Sequence, residues 1–249
     1  MKHRRVHVRR GPEGRELIVD GTLASFYQPG WAATGSVWDA IAAPLLALSP
    51  KRRQRVLILG LGGGSVARIV RALAPQARIV GVEFDPAVLE AARAHLDLDR
   101  LGVEVVLEDA RVFLERGRER YDAIFEDVFV GQGDDVHKPG WLPLPGHELA
   151  SRRLAPGGVL VSNTLDEARA VAKVLRALFP AVLQIDVEDY DNRILAAGTR
   201  LPRASSLRAA VRASSVLAGS LDRLKLRTVQ APSEPSRKHS RRGRAARSA

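Results

Sequence analysis

The sequence predicts an α/β domain with a mainly parallel sheet and helices on both faces. Three observations predict it. From residue 55 onward, strand-length apolar runs alternate with helix-length segments, the pattern of parallel strands joined by crossover helices. The first run, Val56, Leu57, Ile58 and Leu59, is apolar without alternation, as a strand buried on both faces must be. It leads straight into Gly60-Leu61-Gly62-Gly63-Gly64-Ser65, a turn nearly bare of side chains, followed by a helical stretch at 67–73. A ligand can approach the backbone closely at such a helix start.

The elements follow in order. Residues 6–28 read as short strands: Val6-His7-Val8 alternates, 16–19 is a second run, Asp20-Gly21 is a hairpin turn signal, and 22–27 is the return strand. A helix is expected at 36–48 with Val37, Ile41, Leu45 and Leu48 on one face, interrupted by Pro44. Seven strands of the main sheet are expected at 55–59, 77–82, 103–107, 121–126, 159–163, 181–187 and 193–197. Asp85-Pro86 starts a helix, with Asp as N-cap and Pro at the first helical position. Thr164-Leu165-Asp166-Glu167 has capping-box spacing and predicts another helix start. Residues 128–146 hold glycines and prolines without periodicity, and so long a loop after the fourth strand reads as a substrate lid over the carboxyl ends of the strands. Residues 205–224 read as helical. The expected organisation is strands and a helix at 1–50, the α/β domain at 51–200, a helical segment at 201–228 and a disordered basic tail at 229–249.

Composition narrows the function classes. The chain has 249 residues, 45% of them apolar, enough for a sizeable core. It has no cysteine, which excludes disulfides, thiolate metal sites and a cysteine nucleophile. No apolar run approaches the roughly 20 residues of a membrane-spanning helix, and the N-terminus lacks the apolar stretch of a secretory signal. The expected location is the cytoplasm. The net charge of +11 sits at the ends: residues 1–10 carry +5 and residues 229–249 carry +5, so the body between is close to neutral. The tail could make weak, nonspecific contact with nucleic acid or an anionic membrane surface.

The polar residues that carry chemistry fall at strand ends, where open α/β sheets bind ligands. Gly60, Gly62 and Gly64 form G-x-G-x-G. Ser65 occupies the place of the last glycine in the dinucleotide fingerprint, which argues against NAD, and no lysine follows the glycines as nucleotide triphosphate hydrolysis would need. Glu83 closes the second strand, where a carboxylate reaches ribose hydroxyls. Asp109, just past the third strand, can accept from the exocyclic amine of adenine, and the Ala110 amide can donate to a ring nitrogen. Asp109 also reads as the N-cap of a helix at 110–116. Asp127 ends the fourth strand and would face the reacting end of the cofactor, where it could orient an incoming amine; Glu126 should alternate away from it, toward a helix layer or solvent. On the lid, Asp134, Asp135 and His137 could hold a cationic substrate or a metal, although a lone loop histidine is more often inert. No metal-ligand cluster has useful spacing, and no G-x-S-x-G elbow is present.

Together these blocks resemble the spermidine synthase-like branch of the Rossmann-like class I S-adenosylmethionine-dependent methyltransferase fold, over residues 17–198. The blocks are Leu17-Ile18-Val19-Asp20-Gly21, Gly60 to Ser65, Val82-Glu83-Phe84-Asp85-Pro86, Glu108-Asp109-Ala110-Arg111, Tyr121 to Asp127, and Leu154-Ala155-Pro156-Gly157-Gly158. The resemblance implies that Glu83 binds the ribose, Asp109 the adenine, and the glycine loop the sulfonium-bearing chain of S-adenosylmethionine or its decarboxylated form. It implies a small-molecule acceptor, with polyamines among the candidates, and a homodimer. Gly63 and Val130 stand where aminopropyltransferases of this family carry acids, and Val37-Trp38-Asp39 does not match their usual His-Glu pair. Asp39, Asp134 or Asp135 would have to compensate. The expected function is transfer of an aminopropyl or methyl group, with Asp127 orienting or deprotonating the nucleophile. The alternatives are a nucleoside-binding protein without catalysis and an RNA-directed methyltransferase tethered by its basic termini.

Overall fold

The computed structural model describes residues 5–229. The expected tail from residue 230 onward, and the basic residues Lys2 and Arg4, lie outside the described residues.

A small antiparallel sheet opens the fold: β1 (Val6–Arg10), β2 (Arg15–Val19) and β3 (Thr22–Tyr27). Asp20 and Gly21 both take positive φ, 51° and 86°, which matches the right-handed twist of a tight hairpin. Helix α1 (Val37–Ala42) is shorter than the expected 36–48 segment. It gives way to a 3₁₀ turn over Ala43–Ala47 that carries Pro44, whose missing N–H cannot continue an α-helix.

The alternating part follows: β4 (Arg55–Leu59), α2 (Ser65–Leu73), β5 (Arg78–Glu83), α3 (Pro86–His95), β6 (Val103–Leu107), α4 (Ala110–Arg116) and β7 (Tyr121–Glu126). Asp85 caps α3 by accepting from the Ala87 amide at 2.9 Å. The expected lid contains a short hairpin, β8 (Val130–Gln132) and β9 (Asp135–His137), rather than an aperiodic loop. Then come α5 (Gly146–Arg152), β10 (Leu154–Thr164), α6 (Ala168–Leu178), β11 (Ala181–Val187), β12 (Arg193–Gly198), α7 (Ala204–Arg212) and β13 (Leu224–Val229).

The main sheet has eight strands, not the expected seven, in the order β13-β11-β12-β10-β7-β4-β5-β6. Strands β10, β7, β4, β5 and β6 run parallel; β12, β11 and β13 pair antiparallel at the other side. The eighth strand lies in the segment expected to be helical. Leu224 and Leu226 turn inward between exposed Lys225 and Arg227, a period of two that only a strand can satisfy. The capping box expected at Thr164 does not form either. The Thr164 hydroxyl instead donates to the Arg193 carbonyl at 2.6 Å, which keeps β10 extended, and α6 begins four residues later.

Two cores flank the sheet. Val56 and Ile58 of β4 join one, with α1, α2 and α7, whereas Leu57 and Leu59 join the other, with α4, α5 and α6. All four are fully buried, each contributing roughly 1.5–3 kcal/mol of transfer free energy. A third cluster, Leu17, Val19, Tyr27, Val88 and Leu96, seats the N-terminal sheet on α3. No helix among the described residues is long and apolar enough to cross a membrane.

Candidate functional site

A cleft of about 540 Å³ runs across the carboxyl ends of the parallel strands. One end lies at β6 and β5, the middle at β4 and β7, and the other end at β10 and the β11–β12 turn. The β8–β9 hairpin bridges toward the N-terminal sheet: the Gly133 amide donates to the Asp20 carbonyl at 3.0 Å, and the Thr22 hydroxyl donates to the Gly133 carbonyl at 3.2 Å. Glu83, Glu108, Asp109, Asp127 and Asp134 line the cleft, and no lysine, arginine or histidine does so among the described residues. Such a lining favours a cationic ligand.

The glycine loop is held from within. Gly60 and Leu61 amides both donate to the Val82 carbonyl, Gly62 to Glu83 Oε2, Gly63 to Ser25 Oγ, and Gly64 to the Leu61 carbonyl. No amide from Gly60 to Gly64 is left for a ligand, so the glycines serve close approach rather than donation. A side chain at Gly60, where φ is 80°, would run into the Asp127 carbonyl at the end of β7. Gly60 and Gly62 line the cleft; Gly64 does not, and turns the chain into α2 against Leu98 and Leu101. Strand β3 is stitched to the loop, because Ser65 Oγ both receives the Phe26 amide and donates to the Phe26 carbonyl. A Cβ at Gly63 would meet Leu96 Cδ2 at 2.5 Å and Ser25 Cβ at 2.8 Å, so this packing has no room for an acid there.

Glu83 is 7% exposed. Burial pushes its carboxyl up, against donation from the Gly62, Asp85 and Phe84 amides. Asp109 caps α4: Oδ1 accepts from Arg111 and Val112 amides, and Oδ2 has no partner among the described residues. Capping and a free oxygen in the cleft thus coexist. Ala110 also lines the cleft at the first position of α4, where an amide has no partner within its own helix.

Asp127 stands where the two ends of the cleft meet. Asn163, at the end of β10, donates to Asp127 Oδ1 at 2.8 Å, and Asn192 donates to Asn163 Oδ1 at 2.9 Å. Asp127 Oδ2 has no hydrogen-bond partner among the described residues. Burial pushes the Asp127 carboxyl up to about 6; Asn163 and the Lys138 ammonium oppose that rise, and the charges of Glu126 and Glu83 add to it. Neither asparagine was singled out from sequence. Asn163 ends a predicted strand, so the strand-end rule that marks Asp127 marks it equally.

Glu126 points away from Asp127 and toward the helix layer, as expected, where it enters a buried polar cluster beside His147 of α5. Lys138 Nζ donates to Glu126 Oε1 at 2.6 Å and to the Val128 carbonyl at 3.1 Å, while Ser162 donates to Glu126 Oε2. His147 Nε2 is 3.6 Å from Glu126 Oε2. Burial alone would raise this carboxyl, but Lys138 and His147 outweigh it and hold it at about 2.

Three acids expected as possible substrate contacts behave differently. Asp39 is fully buried and is consumed by Thr34, Gly35 and Ser220, so it anchors the chain before α1 to the C-terminal segment. Asp134 is exposed on the cleft rim. Asp135 lies outside the cleft lining and pairs with His137 of its own hairpin, Nδ1 to Oδ1 at 3.5 Å. Among the described residues no cluster of His, Asp and Glu could hold a metal.

A family model described as a methyltransferase domain matches residues 56–138. A polyamine aminopropyltransferase of Mycobacterium tuberculosis is 40% identical over 170 residues, covering 63% of this chain and 30% of that protein. An eEF1A lysine and N-terminal methyltransferase homolog of Drosophila melanogaster is 31% identical over 159 residues, covering 59% of this chain and 24% of that protein. The chain thus matches less than a third of the length of either relative. Among solved structures, a probable spermidine synthase from Corynebacterium glutamicum superposes with a TM-score of 0.73 at 22% identity, covering 91% of this chain and 88% of that one.

Proposed function

From a chain that is spermidine synthase-like and has the class I S-adenosylmethionine-dependent methyltransferase fold, we propose a transferase that moves a methyl or aminopropyl group from a sulfonium nucleoside to a small-molecule acceptor. The observation that carries the reading is the convergence of Glu83, Asp109 and Asp127, from the carboxyl ends of β5, β6 and β7, on one cleft that no basic side chain lines among the described residues.

The donor set fits such a nucleoside. Glu83 offers lone pairs to ribose hydroxyls, Asp109 Oδ2 accepts from the adenine amine, and the Ala110 amide donates to the ring. Half-exposed Phe84 and buried Val88 supply apolar walls for a purine. S-adenosylmethionine or its decarboxylated form, when bound, supplies a carbon attached to a sulfonium, already a good leaving group. The protein's share is then alignment and exclusion of water. The hairpin docked on the β2–β3 turn covers the cleft, and Asp127 Oδ2 takes the proton of the incoming nucleophile. The polyamine in the name of the bacterial relatives is one candidate acceptor.

Titration calorimetry with S-adenosylmethionine, decarboxylated S-adenosylmethionine and S-adenosylhomocysteine tests the reading. Glu83→Ala and Asp109→Ala should each weaken binding about tenfold or more, the scale of one lost hydrogen bond to a charged group. If both variants bind every sulfonium compound as the wild type does, the reading fails.

A further inference from the structure

The cleft divides at β7. On the β4–β5–β6 side stand Glu83, Glu108 and Asp109, with the glycine loop. On the β10–β12 side the lining is aromatic and apolar: Phe129, Val130, Trp141, Leu165 and Tyr190, with the amide of Asn192. Asp127 at the boundary is the carboxylate that this side shares. Glu126, the neighbouring acid, is not available to a ligand. It is 1% exposed, and its oxygens already receive Lys138, Ser162 and the Val128 amide. Asp134 sits at the hairpin tip, next to the β2–β3 turn and away from β10.

We infer that this half of the cleft takes an uncharged aromatic acceptor, which presents a hydroxyl hydrogen to Asp127 Oδ2; the inference rests on the reading of the other half as the nucleoside site. An aliphatic diamine carries two charges at neutral pH, because alkylammonium groups titrate near pH 10. Each charge would lose its hydration on entry and needs a carboxylate in exchange. One acid, already half-engaged by Asn163, cannot serve two ammonium groups. A phenol, by contrast, is neutral at pH 7, with a pKa of about 10. Its ring fits beside Trp141, Phe129 and Tyr190, and its O–H fits the unpartnered oxygen of Asp127. The unpartnered Oδ1 of Asn192 can receive a second hydroxyl of the same molecule.

The step balances without another reactant. The phenol oxygen forms its bond to the transferred carbon while its proton passes to Asp127. The carbon–sulfur bond breaks with its electron pair on sulfur. A sulfonium, a phenol and a carboxylate become a neutral thioether, an aryl ether and a carboxylic acid, which later releases its proton to solvent.

The test uses the full chain, loaded with S-adenosylhomocysteine so that no reaction occurs, and titrated calorimetrically with 2-naphthol or putrescine. Naphthol should bind and putrescine should not. Trp141→Leu should weaken naphthol about tenfold and leave the nucleoside constant unchanged. Val130→Asp adds a carboxylate to the same wall on a half-buried hairpin strand. It should shift the preference toward putrescine by about tenfold. With unreacted S-adenosylmethionine, label transfer to naphthol should fall in proportion. If the nucleoside binds normally and putrescine outcompetes naphthol, or if Trp141→Leu leaves naphthol binding intact, the acceptor inference is overturned and the nucleoside reading survives. If the nucleoside itself does not bind, that reading falls and the acceptor class falls with it.

Discussion

Asp127 shows what one side chain contributes. Its carboxyl, at about 6 in the fold, lies above the ordinary aspartate range near 3.9. The groups that face it are Asn163 from β10, Lys138 from the segment after β9, Glu126 beside it on β7, and Glu83 from β5. Because the folded value is raised, the fold favours the protonated form. Asp127 therefore adds stability below about pH 4 that is lost as pH rises through about 6. Asp127→Asn removes this dependence and keeps an oxygen for Asn163. Thermal melts should show the variant matching the wild type near pH 4 and exceeding it at pH 8. Transfer by the wild type should rise through about pH 6 to a plateau, and the variant should show no such rise. A residue that costs stability in its working state is of the kind expected at a reacting centre.

Among elements, the union of β3 with the glycine loop has the clearest consequence. Ser25 is 1% exposed, and its hydroxyl is the acceptor for the Gly63 amide. Ser25→Ala leaves that N–H buried without a partner, at a cost of about 1–3 kcal/mol. Urea denaturation should read this loss, and nucleoside binding should weaken with it because Gly62 and Glu83 belong to the same loop contacts. Elements were legible in the sequence where a single period ran its full length. Strands β4, β6, β7 and β11 fall where the apolar runs place them, and Asp85-Pro86 starts its helix. Legibility failed where a distant partner decides. Thr164 would cap a helix by local spacing, but the Arg193 carbonyl across the sheet takes its hydroxyl. Strand β13 is six residues long and owes its conformation to pairing with β11, which lies some forty positions earlier. The order of Glu83, Asp109 and Asp127 along the cleft followed from the strand-end rule alone. The amide pair Asn163 and Asn192 did not, because nothing in a single sequence joins residues of β10 to the turn before β12.

At the scale of the whole molecule, Lys138 ties its own segment to two others, the end of β7 with the residues that follow it and the start of α6. Its ammonium joins Glu126 of β7, the Val128 carbonyl and the face of Phe129, at 3.9 Å from the ring centre, and its amide donates to Glu167 before α6 at 2.7 Å. Both ions are almost wholly enclosed. Lys138→Met keeps the length and removes the charge, so it strands a buried carboxylate at a cost of about 3–5 kcal/mol. Equilibrium unfolding at pH 7 should show that loss. The penalty should shrink as pH falls, starting where the stranded carboxyl, raised by burial once Lys138 is gone, takes up a proton, and levelling off near pH 2, where Glu126 is protonated even in the wild type. The inward saturation of the glycine loop reaches further still. ATP carries the same adenosine, but its phosphate tail would find the amides of Gly60 to Gly64 already occupied and the carboxylates of Glu83 and Asp127 in the same cleft. ATP should therefore bind more weakly than S-adenosylmethionine in the same calorimetric titration, with no residue dedicated to refusing it.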